Sequence, residues 1–245
     1  MLILGLDTAT RATVAALVRV GDGDHGALEL EARDDPPPGS RPQHATRLLG
    51  LAAEVLDHAR LGWEAVDRIA VGIGPGTFTG LRIGVASARA LARARDVELV
   101  GVSTLQSVAL NAAPTAARQD AEAVLAVLDA RRGEAFVAGW PTDRTGAPAA
   151  ELISPRACGP EALADVVAEL GGCTLAVGEG AVEFREVLER AGALVPGDES
   201  ELHRVSAIAH CRLALGMCAS SPDQVQPAYL RLPDAEINRR AAADR

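Results

Sequence analysis

The 245-residue chain contains no lysine, since all 24 of its basic residues are arginine. It therefore has no lysine to bind the phosphates of a P-loop ligand, because that motif places Lys directly after its last glycine. It also has no amine side chain that could form a Schiff base with a carbonyl substrate. The missing lysine thus excludes two large classes of enzyme chemistry.

Metal-binding and hydrolase motifs are missing as well. The five histidines, at positions 25, 44, 58, 203 and 210, never occur at the i, i+4 spacing that places two ligands on one helix face. His203 and His210 are seven residues apart and could share a face, which is more typical of a solvated or partner-facing pair. The nucleophile elbow G-x-S-x-G is also absent. We therefore predict no metal site and no catalytic residue.

Cysteine usage and charge limit the compartment and the partners. The four cysteines form no CxxC pair, the first ten residues lack the basic region of a signal peptide, and no run of 18 apolar residues occurs. We therefore expect a reduced, cytoplasmic protein without a membrane span. A net charge of −9 and a pI near 5.1 argue against a free-standing nucleic-acid binder. Any nucleic-acid contact is expected to need a partner.

The most specific segment of the chain is the glycine-rich run GPGTFTGLRIG at residues 74–84. Apolar residues precede it and continue after it at helical spacing, which predicts a strand that turns into a helix. Free backbone N–H groups at such a turn can bind a phosphate; alternatively, the glycines serve only a tight turn. Leu81 stands where a P-loop needs lysine, and Thr79 stands where a dinucleotide fingerprint needs its third glycine.

Hydrophobic periodicity predicts two α/β lobes. The first, at residues 1–102, is expected to have strands at 2–6, 13–18 and 27–32, a turn at 21–26, a helix at 42–60, a strand at 67–73, a helix at 79–95 and a strand at 97–102. The second, at 103–233, is expected to have a short helix capped by Ser103, a hairpin of 123–128 with 134–139, helices at 160–170 and 181–191, a strand at 174–177 and a helix at 204–218. The last helix could pack back on the first lobe, and residues 234–245 are predicted to be a mobile tail.

Two predicted helices of the first lobe have more apolar or small surface than one sheet needs. The helix at 42–60 carries apolar residues on more than one face, and the helix at 79–95 carries Gly80, Gly84, Ala88 and Ala92 at a four-residue interval. Such a stripe permits close approach of a partner helix, or else packs on the lobe's own sheet. Both interpretations stay open at this point.

The order of the motifs resembles that of the bacterial TsaB family, also called YeaZ. The resemblance covers most of the chain, and its most specific part is the glycine segment; it runs through LGLDTAT (4–10), GIGPGTFTGLRIGVASARALA (72–92), VSTL (102–105), DARRGEAF (129–136), VGEGA (177–181) and PAYLR (227–231). It implies the two-lobed actin-like ATPase fold, with a duplicated β-sheet plus helices.

The resemblance also implies a function. Members of the family take part in making N6-threonylcarbamoyladenosine at position 37 of tRNAs that read ANN codons. They are essential, non-catalytic paralogues of TsaD, which transfers threonylcarbamoyl from its adenylate. The implied partners are TsaD and the ATPase TsaE, with a homodimer when the chain is alone and only indirect contact with tRNA. No cofactor of its own is implied; ATP or ADP would bind to the partners or at an interface.

In the family, the first two helices form the surface that binds TsaD. Carried over to this chain, the predicted interface residues are His44, Leu48, Leu51, Ala52, Val55, Gly80, Ile83, Gly84, Ser87, Ala88 and Leu91. At the start of the first helix, relatives commonly have His-Ser, whereas this chain has His44-Ala45.

The alternative function is a stand-alone kinase or ATPase of the same fold. Proteins of this fold position Mg²⁺ with an acid at the end of the first strand and let phosphate approach at a following glycine. Here Asp7 is present, but Ala9 stands at the glycine position. The candidates for a vestigial phosphate site are Asp7, Thr8, Gly74, Gly76 and Thr77. A peptidase is a third reading, and it lacks a recognisable nucleophile and base.

Overall fold

The computed structural model describes residues 1–20, 27–37, 39–146 and 150–231. The turn predicted at 21–26 and the tail predicted at 234–245 lie outside these described residues.

A five-stranded mixed sheet forms the first half of the chain. Its strands are β1 (Leu2–Asp7), β2 (Thr13–Arg19), β3 (Leu28–Asp34), β4 (Arg68–Gly74) and β5 (Glu98–Ser103), in the order β3-β2-β1-β4-β5. The first three strands are antiparallel, whereas β4 and β5 run parallel to β1. All six residues of β1 are buried. Its unbroken apolar run, without alternation, fits a strand covered on both faces.

Two helices cover one face of this sheet: α1 (His44–His58) and α2 (Phe78–Arg95). Their apolar positions recur every three to four residues, so that one stripe of each helix enters the core. Leu48, Leu51 and Val55 of α1 and Val85 and Ala88 of α2 belong to one core cluster with the apolar residues of β1 and β4.

The second half repeats this plan with four strands. It contains α3 (Thr104–Arg118), β6 (Ala123–Arg131), β7 (Glu134–Pro141), β8 (Ile153–Cys158), α4 (Pro160–Leu170), β9 (Thr174–Val177), α5 (Glu179–Glu183), α6 (Arg185–Arg190) and α7 (Ala207–Leu215). The strand order is β8-β7-β6-β9, with an antiparallel meander and β9 parallel to β6. Both sheets thus place a parallel strand beside the first strand of a meander, which is the signature of a duplicated unit.

The two sheets exchange a helix. Helix α3 follows β5 in the chain but packs on the second sheet, where Leu105 and Val108 join the core with Val124 and Leu175. Helix α7 follows the second sheet but packs on the first. The two helices also contact each other, so they lie side by side between the sheets. Helices α4, α5 and α6 cover the outer face of the second sheet.

Three predicted elements differ from the observed ones, and one observed strand was not predicted. Helix α3 has 15 residues rather than a single short stretch, and it contains Pro114. The sequence pattern misses β8 because only Ile153 of this edge strand is buried and Pro155 interrupts it. The helix predicted at 181–191 is two short helices that meet at Phe184, and α7 is shorter than the predicted 204–218.

Candidate functional site

Asp7, at the carboxyl end of β1, has no exposed surface. Its Oδ1 accepts a hydrogen bond from the Ala9 N–H at 2.7 Å, and its Oδ2 accepts one from Thr104 Oγ1 at 3.1 Å. His210 Nε2 lies 2.9 Å from the same Oδ2. Gly72 closes the remaining side, since a Cβ at that position would lie 1.8 Å from Oδ2. The carboxylate is therefore enclosed by protein groups and caps the turn after β1, as Asp often does.

His210 continues this network between the lobes. Its Nδ1 lies 2.7 Å from Ser107 Oγ on α3 and 3.0 Å from the carbonyl oxygen of Ser206. Ser107, His210 and Asp7 thus form a chain of hydrogen bonds with the same residue types as a hydrolase triad. All three are completely buried, however, and Ser107 Oγ also donates to the Ser206 carbonyl. A substrate could not reach this serine, so the chain of bonds is structural. Sequence reasoning missed it because its members are about 100 residues apart.

The glycine loop packs against the turn that follows β1. Thr8 Oγ1 donates to the Gly80 carbonyl, and the Thr77 N–H donates to the Ala9 carbonyl, both at 2.7 Å. A Cβ on Gly76 would lie 2.3 Å from that same Ala9 oxygen. A phosphate between these two segments would need open space and the Thr77 N–H group. The backbone of residues 8 and 9 fills that space, and the Ala9 carbonyl already accepts the Thr77 N–H. At Gly76 and Thr77 the loop is a tight packing turn.

Ala228 and Tyr229, close to the last described residue, contact the strand end and the helix start on either side of the same loop. Gly74 has a φ of 107°, a conformation that favours glycine, and the Ala228 N–H donates to the Ile73 carbonyl at 2.7 Å beside it. The ring of Tyr229 lies 5.1 Å from that of Phe78, the first residue of α2. The PAYLR motif at 227–231 therefore holds the entry to α2 in place.

Most of the predicted interface side chains are buried in the lobe itself. Eight of the eleven lie in the buried class: His44, Leu48, Leu51, Ala52, Val55, Gly80, Gly84 and Ala88. The small stripe of α2 packs on the first lobe, because Cβ atoms on Gly80 and Gly84 would meet Thr8 O at 2.0 Å and Thr8 Oγ1 at 2.3 Å. In the free chain these eight residues have little exposed surface, and their place in a partner interface stays a prediction. Ile83, Ser87 and Leu91 are partly exposed.

The solvent-facing side of α1 and α2 consists of other residues. We call it the outer face and define it by six positions that are exposed or half-buried and small or apolar: Ala45, Leu49, Ala53, Ile83, Ser87 and Ala90. Leu49 is 47% exposed, unusually high for a leucine in the middle of a helix. The three α1 positions follow an i, i+4 spacing, so a strict helical assignment would have separated them from the core stripe.

Two clefts share Arg11, which lies in the turn after β1. A cleft of about 660 Å³ lies at the first turns of α1 and α2 and is bordered by Arg11, Arg41 and Arg131. A second cleft, of about 310 Å³, lies between the lobes and contains Glu179 and His203. Burial, followed by repulsion from Asp129, raises the pKa of Glu179 to about 7.

Within the described part of the chain, no cluster of three or more His, Cys, Asp or Glu side chains could hold a metal ion. Among the described helices, none is both long and apolar enough to cross a membrane.

Duplicated sheets, with an acid at the end of the first strand and helices on both faces, define a protein of the two-lobed actin-like ATPase fold. The sequence-based fold prediction is thus confirmed. A solved Pseudomonas aeruginosa structure, described as an uncharacterised protein with similarity to peptidase YeaZ, has a TM-score of 0.71 at 28% identity, covering 94% of this chain and 99% of that one.

Comparison of sequences identifies the family. Residues 36–164 match the family model described as TsaD, tRNA N6-adenosine threonylcarbamoyltransferase. The tRNA threonylcarbamoyladenosine biosynthesis protein TsaB of Escherichia coli K12 is 30% identical over 234 residues, 94% of this chain and 95% of that protein. TsaB of Haemophilus influenzae is 33% identical over 165 residues, 65% of this chain and 64% of that protein. The chain belongs to the TsaB (YeaZ) family.

Proposed function

We propose that the chain is a non-catalytic, partner-binding subunit in the biosynthesis of N6-threonylcarbamoyladenosine in tRNA. The Escherichia coli relative, which is named for this pathway, aligns with the chain over 95% of its own length. The observation that carries the non-catalytic part of the proposal is the enclosure of Asp7 by Thr104, His210 and Gly72. The alternative, a stand-alone kinase, would need this carboxylate at an open site.

The proposed partner is a TsaD-like transferase, with a TsaE-like ATPase joining the pair. The match to the TsaD family model supports a partner of related fold, which could pair with this chain through equivalent helices. The outer face suits such a helix-to-helix contact, because alanine and serine let two helices approach closely while Leu49 and Ile83 add apolar area. In the free chain, a second copy is proposed to occupy the same face.

Charged substitutions on the outer face test this proposal. Leu49→Asp on α1 and Ser87→Arg on α2 should each weaken binding to the TsaD protein of the same organism at least about tenfold, because a charge would be buried at the contact. Leu152→Asp is the matched control, since Leu152 is similarly exposed (52%) but precedes β8 of the second sheet. Isothermal titration calorimetry measures the affinity, and thermal melting checks the fold. Undiminished binding of both outer-face variants would contradict the assigned surface.

The pathway is tested in cells. Depletion of the protein should remove N6-threonylcarbamoyladenosine from tRNA nucleosides analysed by mass spectrometry. The wild-type gene and Leu152→Asp should restore it, whereas Leu49→Asp with Ser87→Arg should not. Unchanged nucleoside levels after depletion would overturn the proposed function.

A further inference from the structure

The segment that leads from the second lobe into α7 contains a buried histidine. His203 ends a short 3-10 helix, Glu201–His203, and only 6% of its surface is exposed. Two residues later, Val205 packs into the core of the second sheet. Ser206, which follows it, contacts the first lobe, since its Oγ donates to Glu31 of β3 at 2.8 Å. His203 therefore lies just before the point at which the chain passes from one lobe to the other.

Both ring nitrogens of His203 face backbone carbonyl oxygens. Nδ1 lies 3.0 Å from the oxygen of Gly178, just before α5, and Nε2 lies 3.1 Å from the oxygen of Pro196, in the loop after α6. A carbonyl oxygen can only accept a hydrogen bond, and a neutral imidazole has a single N–H donor. Only the doubly protonated ring can therefore make both hydrogen bonds, whereas the neutral ring leaves one bare nitrogen facing an acceptor.

Neither carbonyl depends on His203 alone. The Ala181 N–H also donates to the Gly178 oxygen, at 3.0 Å, and the Arg185 guanidinium also donates to the Pro196 oxygen. A buried carbonyl without any donor is costly, and that cost would oppose the loss of a bond here. Because both oxygens keep a second donor, a His203 hydrogen bond can break and form again while the surrounding fold stays intact.

Charged groups of both signs surround the ring where it borders the cleft between the lobes. The cleft is lined by three carboxylates, which favour a positive ring, and by three guanidinium groups, which oppose it: Asp35, Glu179 and Asp198, and Arg11, Arg33 and Arg204. Part of the opposing charge is offset, since Arg33 pairs with Asp35 at 2.6 Å and Arg204 pairs with Glu201 at 2.9 Å. Helix α3 also contacts this turn, and its one charged residue is Arg118, at its last position. The ring thus faces no excess of positive charge.

We infer that His203 is a proton-dependent switch in the segment that joins the second lobe to α7. The imidazolium connects this segment both to the start of α5 and to the loop after α6, and the neutral imidazole gives up one of the two connections. Histidine suits such a role, because its charge ordinarily changes between pH 5 and 8. The segment borders the cleft between the lobes, so its release changes the width of that cleft. The inference concerns the free chain and does not depend on the proposed function.

Amide hydrogen exchange of the free full-length chain tests the switch. After correction for the intrinsic effect of pH on exchange, the amides of residues 197–204 should exchange about tenfold faster at pH 8 than at pH 6, because one charge-assisted hydrogen bond is lost. His203→Leu, which has no donor, should show the faster exchange at both pH values, and thermal melting checks its fold. His58→Leu is the matched control, since His58 is exposed at the end of α1, and it should keep the wild-type difference.

A second readout needs no variant of His203. Nitrogen NMR of the wild-type ring should show two N–H signals at pH 6 and one at pH 8. Glu179→Gln separates the neighbouring titratable group, and the pH dependence of exchange at residues 197–204 should persist in this variant. An unchanged number of ring N–H signals, exchange that does not differ between the two pH values, or loss of the difference in Glu179→Gln would each overturn the inference.

Discussion

His210 Nε2 lies 2.9 Å from Asp7 Oδ2, and neither side chain has any exposed surface. The pair joins the end of the first strand of one sheet to a helix that follows the other sheet, and Ser107 on α3 extends it. Asp7, which the sequence offers as a candidate for a vestigial phosphate site, connects the lobes here.

Removal of the His210 side chain should therefore lower the free energy of unfolding. His210→Ala leaves a buried carboxylate with one partner fewer, and we expect a loss of about 2–4 kcal/mol in the free energy of unfolding. Urea denaturation followed by circular dichroism measures this loss. His58→Ala, at an exposed position at the end of α1, should change it by less than about 0.5 kcal/mol. Equal stability of the two variants would contradict the connecting role.

Glycine-to-alanine changes in the two helices should have opposite signs. Gly50 lies in α1, where an added Cβ would meet no other atom within 4 Å, so Gly50→Ala should stabilise by about 0.5–1 kcal/mol through helix propensity. Gly84 lies in α2, where a Cβ would meet the hydrogen-bonded Thr8 Oγ1 at 2.3 Å, so Gly84→Ala should destabilise by about 1–3 kcal/mol. Thermal melting compares the two. Stabilisation by both would show that the α2 stripe is not tightly packed.

Stability should depend on Glu179 between pH 4.5 and 7. Its pKa is raised from 4.5 to about 7, so the folded state holds this proton more tightly than the unfolded chain. The stabilisation that protonated Glu179 contributes to the free energy of unfolding is complete below pH 4.5. It is lost as the pH rises to about 7, and the loss is no more than about 3 kcal/mol. Glu179→Gln should remove this decline, whereas the control Glu186→Gln, with a side chain 91% exposed, should keep it. Parallel profiles of wild type and Glu179→Gln in urea denaturation would refute the prediction.

The docking of α7 can be followed through its cysteine. Cys211 is completely buried, and burial raises the pKa of its thiol far above the ordinary value. Cys218 is exposed. N-ethylmaleimide should label Cys218 within the first pulse and Cys211 only in urea that unfolds the protein, as read by peptide mass spectrometry. Rapid labelling of Cys211 in the native protein would mean that α7 leaves the sheet readily.

Local pattern was enough to predict much of this fold. Apolar runs, turn glycines and helical spacing predict β1, α1, β4 and α2 to within a few residues. Each of these elements buries apolar residues that form a run or recur at a regular interval in the sequence. The edge strand β8 escapes this reasoning, since a strand with one buried residue has no period to detect. Phe184 likewise gives no local sign that it divides α5 from α6.

The site was less predictable, because burial and long-range pairing decide it. The acid Asp7 is visible in the sequence, but its enclosure depends on His210, about 200 residues later, and on the missing side chain of Gly72. The helices of the proposed partner surface are also visible. The i, i+4 spacing of α1 separates its outward positions from its core stripe, so that Leu48 is buried and Leu49 is exposed.

Because α3 and α7 are exchanged between the two sheets, the first sheet is fully covered only late in synthesis. When the ribosome has finished β5, one face of the first sheet, with Ile3, Val14 and Val100, still lacks the helix that covers it. That helix is synthesised about 100 residues later. The first sheet is therefore covered only after the second sheet has been made, and the nascent protein must keep an apolar sheet face from unsuitable contacts until α7 is available.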